Sequence, residues 1–141
     1  MNRRNHVLWI AAACVLAALP SLAAAQQPPP AEGDEAALIA VLKSDADLFQ
    51  KAKACQRLAV IGTNQCVPVL AGLLPDEKLS HYARFGLEPI ADPAAGAALR
   101  NALGKLQGGL LVGVINSVGM RRDGEAIGPL KGLVGNADPQ V

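Results

Sequence analysis

The stretch Ala54-Cys55-Gln56-Arg57-Leu58-Ala59-Val60-Ile61-Gly62 decides the fold, because its apolar positions return twice further along the chain. Sliding it forward by two nearly equal intervals superposes Ile61 on Ile90 and Val118, Leu58 on Leu87 and Ile115, and Ala54 on Ala83 and Leu111. Apolar positions recurring together at i, i+4 and i+7 are the stripe of a helix. Self-similarity at this period marks stacked helical hairpins, which cannot bury their apolar faces alone and lean on their neighbours. The expected fold is therefore all-α, an α-solenoid of about three and a half antiparallel hairpins, whose usual output is a binding surface rather than a reaction.

Outward from that stretch the hairpins can be traced by their caps and breakers. Asp34 is suited to cap a first helix with Glu35 in its first turn and Leu38, Ile39 and Leu42 on one face. Ser44-Asp45-Ala46-Asp47 ends it and caps a helix over residues 48–61, with Phe49, Ala52, Cys55, Leu58 and Ile61 inward. Asn64 is the expected cap of a third helix, striped by Val67, Leu70, Leu73 and Leu74 and stopped by Pro75-Asp76. A fourth helix is expected over 77–88, ended by Pro89, and a fifth from Asp92-Pro93 to about residue 106. Gly108-Gly109 reads as a turn before a sixth helix over about 110–120, in which Gly113 is a weak helix former and points to close packing or low local stability. Arg121-Arg122-Asp123-Gly124 reads as a solvated turn, and 125–134 as a seventh helix with Ile127, Leu130, Leu133 and Val134. Asp138-Pro139 looks like the start of an eighth, which implies that the array continues past Val141.

Residues 1–25 read as a separate segment. Arg3 and Arg4 precede an uncharged apolar run over residues 7–19, and Ala23-Ala24-Ala25 offers the small-x-small pattern of signal cleavage. The alternatives are a membrane anchor over residues 7–25, which Pro20 interrupts, a lipoprotein site at Cys14, for which Ala11-Ala12-Ala13 is a poor lead, and a twin-arginine signal, which Asn5-His6-Val7 matches badly. The reading is a cleaved signal peptide over 1–25, a Pro-rich linker over 26–33 around Pro28-Pro29-Pro30, and a repeat domain over 34–141, exported to a periplasmic or extracellular compartment with no membrane span after cleavage.

Of 13 basic and 12 acidic residues, only Arg3 and Arg4 fall in the signal, which leaves a mature net charge of −1. With Phe49, Tyr82 and Phe85 as the remaining aromatics, neither charge nor stacking platforms support nucleic-acid binding. Cys55 and Cys66 survive cleavage, but antiparallel helices joined at residues 62–64 place them beyond disulfide reach, and Cys55, beside Ala54 on the apolar stripe, is expected as a small buried thiol.

The repeat pattern, with Asp-Pro at helix starts and Ile-Gly or Val-Gly at hairpin ends, resembles HEAT repeats over 34–141, and is armadillo-like in the broad sense. Leu79-Ser80-His81-Tyr82-Ala83-Arg84-Phe85-Gly86-Leu87-Glu88-Pro89-Ile90 is similar to segments of exported bacterial HEAT-repeat proteins. That resemblance implies protein binding along a curved surface lined by the second helix of each hairpin, and it nominates Lys53, Gln56, Arg57, Tyr82, Arg84, Phe85, Glu88 and Asn116 as partner contacts. Enzymatic relatives fit poorly. The deoxyhypusine hydroxylase type uses His-Glu iron ligands, whereas His6 and His81 are followed by Val7 and Tyr82, and the resemblance to phycobilin lyase subunits is looser still.

His81, Tyr82, Arg84 and Glu88 form the one cluster of mixed chemistry, with Arg84 and Glu88 spaced for an ion pair on one helix face. It reads either as the anchor of a partner site or as a surface pair beside an aromatic packed between repeats. The glycines at 108, 109 and 113 make no phosphate loop, and no nucleophile has a histidine base beyond His81. The expected function is a non-catalytic interaction or scaffold module with another protein as partner, no cofactor and no metal. The alternative is an accessory domain of a larger exported enzyme or redox protein.

Overall fold

Asp34 opens the first helix with its own carboxylate, whose Oδ1 accepts the N–H groups of Ala36 at 2.9 Å and Ala37 at 3.4 Å. The computed structural model describes residues 34–138 and residue 141. The expected signal segment, the expected linker and Pro139 lie outside the described residues. Helix α1 runs Glu35–Lys43 and buries Leu38 and Leu42. Helix α2, Leu48–Ile61, starts on a capping box in which Asp47 Oδ1 accepts the Gln50 N–H at 2.8 Å and Gln50 Oε1 accepts the Asp47 N–H at 3.2 Å.

Helix α3 is the short Val67–Gly72, with Pro68 in its first turn. Asn64 is not its cap. Thr63 Oγ1 takes the Gln65 N–H at 3.2 Å, the Val67 N–H reaches the Asn64 carbonyl, and Cys66 occupies the N-cap position. The end of α3 tightens into i→i−3 hydrogen bonds from Leu73 to Leu70 and Leu74 to Ala71 before Pro75 stops the chain. Helix α4 starts later than its composition promises, at Ser80, and ends at Leu87, because Asp76 Oδ1 holds residues 78 and 79 in a turn through N–H bonds of 2.8 and 2.9 Å.

Helix α5, Pro93–Leu103, is capped by Asp92 and ends at Gly104, short of the expected residue 106. Helix α6, Gly108–Met120, takes in the two glycines expected to form a turn, and Gly108 enters it at φ +53°. After a 3-10 turn over Gly124–Ala126, helix α7 covers only Ile127–Lys131. Gly128, Pro129 and Gly132 explain its brevity, since none supports a helix interior.

Among the described residues the chain is all-helical. Each hairpin packs on itself, α1 on α2, α3 on α4 and α5 on α6. Alternate helices also meet, α1 with α3, α3 with α5 and α5 with α7 on one side, α2 with α4 and α4 with α6 on the other. One continuous apolar core lies between these two sets.

The buried side chains recur at regular intervals. In the first helices, Leu38 and Leu42, Leu70 and Leu74, and Ala102 and Leu106 are all buried and recur at one constant interval. In the second helices the buried pairs are Ala54 and Leu58, Ala83 and Leu87, and Val114 and Val118, again at nearly equal intervals. The shorter second interval that the sequence suggests puts Ile115 opposite Leu87, but Ile115 is half-buried and Val118 takes that place. Phe49, expected inward, is exposed, because α2 buries Ala52, Ala54, Cys55 and Leu58 and turns residue 49 to the other side.

Candidate functional site

The spacing of residues 49, 53, 56 and 60 places one face of α2 away from the core. Phe49 is 70% exposed and Val60 75%, with exposed Lys53 and Gln56 between them, and Lys53 Nζ lies 5.6 Å from the Phe49 ring centroid. Moving along the chain by the intervals that relate the buried positions, Gln56 corresponds to Phe85 and Asn116, and Val60 corresponds to Pro89 and Met120. Phe85 is 48% and Met120 73% exposed, and Asn116 is exposed as well. Lys53, Gln56, Phe85 and Asn116 thus share one outward row across α2, α4 and α6. Arg57 is exposed on α2 beside that row.

Tyr82, Arg84 and Glu88 are placed differently, each half-buried. Tyr82 packs against the core and meets the His81 ring edge-on at 5.5 Å. Arg84 crosses to α6, where Nη1 donates to the Gly113 carbonyl at 2.9 Å and to Ser117 Oγ at 3.2 Å. Ser117 Oγ in turn donates to Glu88 Oε1 at 2.7 Å. Arg84 and Glu88 therefore meet through Ser117, rather than in the direct surface pair that their spacing suggests. Close approach explains Gly113: a Cβ there would lie 2.6 Å from Arg84 Cζ.

Arg121 extends this tie. Read from sequence as part of a solvated turn, it is half-buried, and Nη1 donates to the carbonyls of Leu87 at 2.9 Å, Glu88 at 2.8 Å and Ile90 at 2.6 Å. A cation there neutralises the negative end of α4 and occupies carbonyls that Pro89 keeps from continuing the helix. Arg100 on α5 instead binds side chains, pairing with the carboxylates of Asp123 at 2.5 Å and Glu125 at 2.6 Å in the turn after α6.

The remaining reactive groups are held in quiet states. Cys55 and Cys66 are free and buried. Burial pushes the Cys55 thiol up to about 12, and burial with the Glu35 carboxylate alongside pushes Cys66 up to about 11, so both stay protonated and weakly nucleophilic. Slight burial raises Glu35, but bonds from the Thr63 N–H at 2.8 Å, the Thr63 hydroxyl and Cys66 outweigh it and hold the carboxyl below its ordinary value. Among the described residues, no three His, Cys, Asp or Glu side chains gather closely enough to hold a metal ion, and no helix is long and apolar enough to cross a membrane.

The nominated residues thus divide into an outward row of Lys53, Gln56, Phe85 and Asn116 with Arg57 beside it, an inter-helix tie of Arg84 and Glu88, and Tyr82 packed on the core. Sequence reasoning misses Ser117 and Arg121 in the tie, and only the helix-weakening Gly113 hints at it. Comparison with protein-family models, with curated proteins and with solved structures found no match.

Proposed function

We propose that this chain is a HEAT-like α-solenoid segment, exported from a bacterial cytoplasm, that binds another protein along the outward row of α2, α4 and α6. The observation that carries this reading is the row itself: Phe49, Val60, Phe85 and Met120 are exposed apolar side chains on equivalent faces of three helices, interleaved with Lys53, Gln56 and Asn116. Aromatic and methionine side chains amid polar ones are the composition of an interface centre. The array reading is supported by hairpins whose alternate helices touch and by buried pairs that recur at nearly constant intervals. Arg84, Glu88 and Arg121 then serve the contact by holding α4 and α6 in register.

The test is site-specific photocrosslinking in the cell, with the probe at Phe85 and Met120 and controls at the exposed Ala40 and Asn101 on the first-helix side. One discrete adduct at positions 85 and 120, missing from 40 and 101 and abolished by Val60→Glu, is the expected result. Equal adducts at all four positions overturn the assignment. A second reading, an accessory domain of a larger exported enzyme or redox protein, is favoured by exposed Ile127 on α7 and exposed Val134 in the turn after it, the kind of apolar surface another unit would cover.

A further inference from the structure

Positive charge collects on one layer of helices. Across α2, α4 and α6 and the residues that cap their C-terminal ends, the one acid is Glu88, which is half-buried and bonded to Ser117. Helix α2 carries Lys51, Lys53 and Arg57, and Arg122 follows α6 as a further exposed cation. Arg84 and Arg121 are committed to contacts between helices, so the exposed lysine and arginines of this layer are Lys53, Arg57 and Arg122. The whole chain has a formal charge of only +1, which makes this a local surplus. These cations accompany an apolar line. Val60, Pro89 and Met120 are exposed, equivalent positions at the ends of three successive helices, with Arg57 one turn before Val60 and Arg122 two residues after Met120. The acids nearest that line are engaged: Asp92 caps α5, and Asp123 and Glu125 pair with Arg100.

Resting on the reading that this row binds a protein, we infer that its occupant is an acidic amphipathic helix of the partner. That helix lies across α2, α4 and α6, its apolar stripe on Val60, Pro89 and Met120 and its carboxylates beside Arg57, Lys53 and Arg122. Packed helices lie about 8–10 Å apart, and seven residues of a helix rise about 10.5 Å, so positions i, i+7 and i+14 of a crossing helix meet the three in turn. An extended segment fits less well. Among the described residues the chain is all-helical and offers no sheet edge, so a docked strand would leave its own N–H and C=O groups unpaired, whereas a helix satisfies them internally. A flat anionic bilayer shares the charge preference but would also meet the exposed Asp47, Asp76 and Glu77 at the starts of α2 and α4, which a helix crossing the far ends avoids.

The test is titration of the full chain with two alanine-based helical peptides whose leucines repeat every seventh residue, flanked by glutamates in one and by lysines in the other. Fluorescence anisotropy reads affinity, and the Met120 methyl resonance reads the place of binding. Exposed ion pairs contribute up to about fivefold each, so the glutamate peptide should bind about tenfold or more tightly than the lysine peptide, the gap narrowing as salt rises. It should shift the Met120 signal. Lys53→Glu combined with Arg57→Glu changes two exposed side chains, so helical circular dichroism should hold while the preference reverses. Equal binding of the two peptides, or binding that leaves Met120 unmoved, overturns the acidic helix. So does failure of both peptides to bind while the crosslinks at positions 85 and 120 persist; loss of those crosslinks as well brings down the protein-binding reading with it. Phosphatidylglycerol vesicles that bind the chain more tightly than the glutamate peptide does overturn the inference in favour of a membrane.

Discussion

Adding one methyl group at Gly113 should destabilise this protein even though it improves the helix. Alanine in place of glycine in a helix interior is worth about 1 kcal/mol in favour of folding. At Gly113 the new Cβ would lie 2.6 Å from Arg84 Cζ and 2.8 Å from Nε and Nη2, so the guanidinium must leave. It would then give up its bonds to the Gly113 carbonyl and to Ser117. Hydrogen bonds to a charged group contribute about 1.5–3 kcal/mol each, and half-burial of Arg84 argues for the lower end, about 3 kcal/mol for the two. Setting the helix gain against that leaves a net loss of about 2 kcal/mol. Gly119, in the same helix, has nothing within 4 Å of a Cβ, so Gly119→Ala should stabilise by up to about 1 kcal/mol. Urea denaturation followed by circular dichroism measures both, and a double-mutant cycle with Arg84→Ala isolates the clash. In the Arg84→Ala background, Gly113→Ala should turn stabilising. If Gly113→Ala alone stabilises as much as Gly119→Ala, the guanidinium is not held against the helix and the α4–α6 tie is misread.

Arg122 ends α6 in the left-handed region at φ 52°, with the Asp123 N–H returning to the Val118 carbonyl at 3.2 Å, so Arg122→Gly should raise stability by about 1 kcal/mol; no gain, or a loss, in the urea midpoint refutes this. The two thiols give a pH dependence. Because folding raises them from 9.0 to about 12 and about 11, the native state keeps protons that the unfolded chain releases, and their stabilisation is complete below about pH 9 and lost as pH climbs through 11 to 12. Midpoints measured from pH 8 to 11 should fall, and Cys55→Ala should fall less steeply; parallel curves contradict the assignment. Alkylation of Cys55 and Cys66 by iodoacetamide at pH 8 should be slow in the native protein and fast in urea, and similar rates in both would show that the thiols are not shielded.

Much of the helical framework is legible in local chemistry. Asp34, Asp47 and Asp92 announce three helix starts because a short carboxylate satisfies the free N–H groups wherever it precedes a helix, and α2 has the limits read from sequence. Buried Leu58, Leu87 and Val118 follow from the apolar stripe for the same local reason. Where several weak signals compete, the reading slips: Pro129 and two glycines shorten α7 although its apolar spacing is good. Inter-helix register is harder still. Matching Leu87 to Ile115 or to Val118 lays apolar side chains on apolar side chains either way, since the two choices differ by nearly one helical turn, and only packing decides between them. That choice places Ser117 against Glu88 and Arg121 against the end of α4, partners 29 to 34 residues away that no local pattern joins. Of the proposed site, the outward row follows from helix positions.

The Arg121 clasp grips carbonyl oxygens and no side chain. Its fit therefore depends on the path of residues 87–90 and is indifferent to what those residues are, so Glu88 can be exchanged without loosening the clasp provided Pro89 still turns the chain. The reverse does not hold, since all three bonds come from Nη1 at the far end of the side chain, and only a long cation at position 121 reaches those oxygens. Mutational tolerance at the clasp alone is one-sided: residues 87–90 keep a freedom in sequence there that position 121 lacks, while the Arg84 and Glu88 contacts to α6 restrict the same joint from the other side.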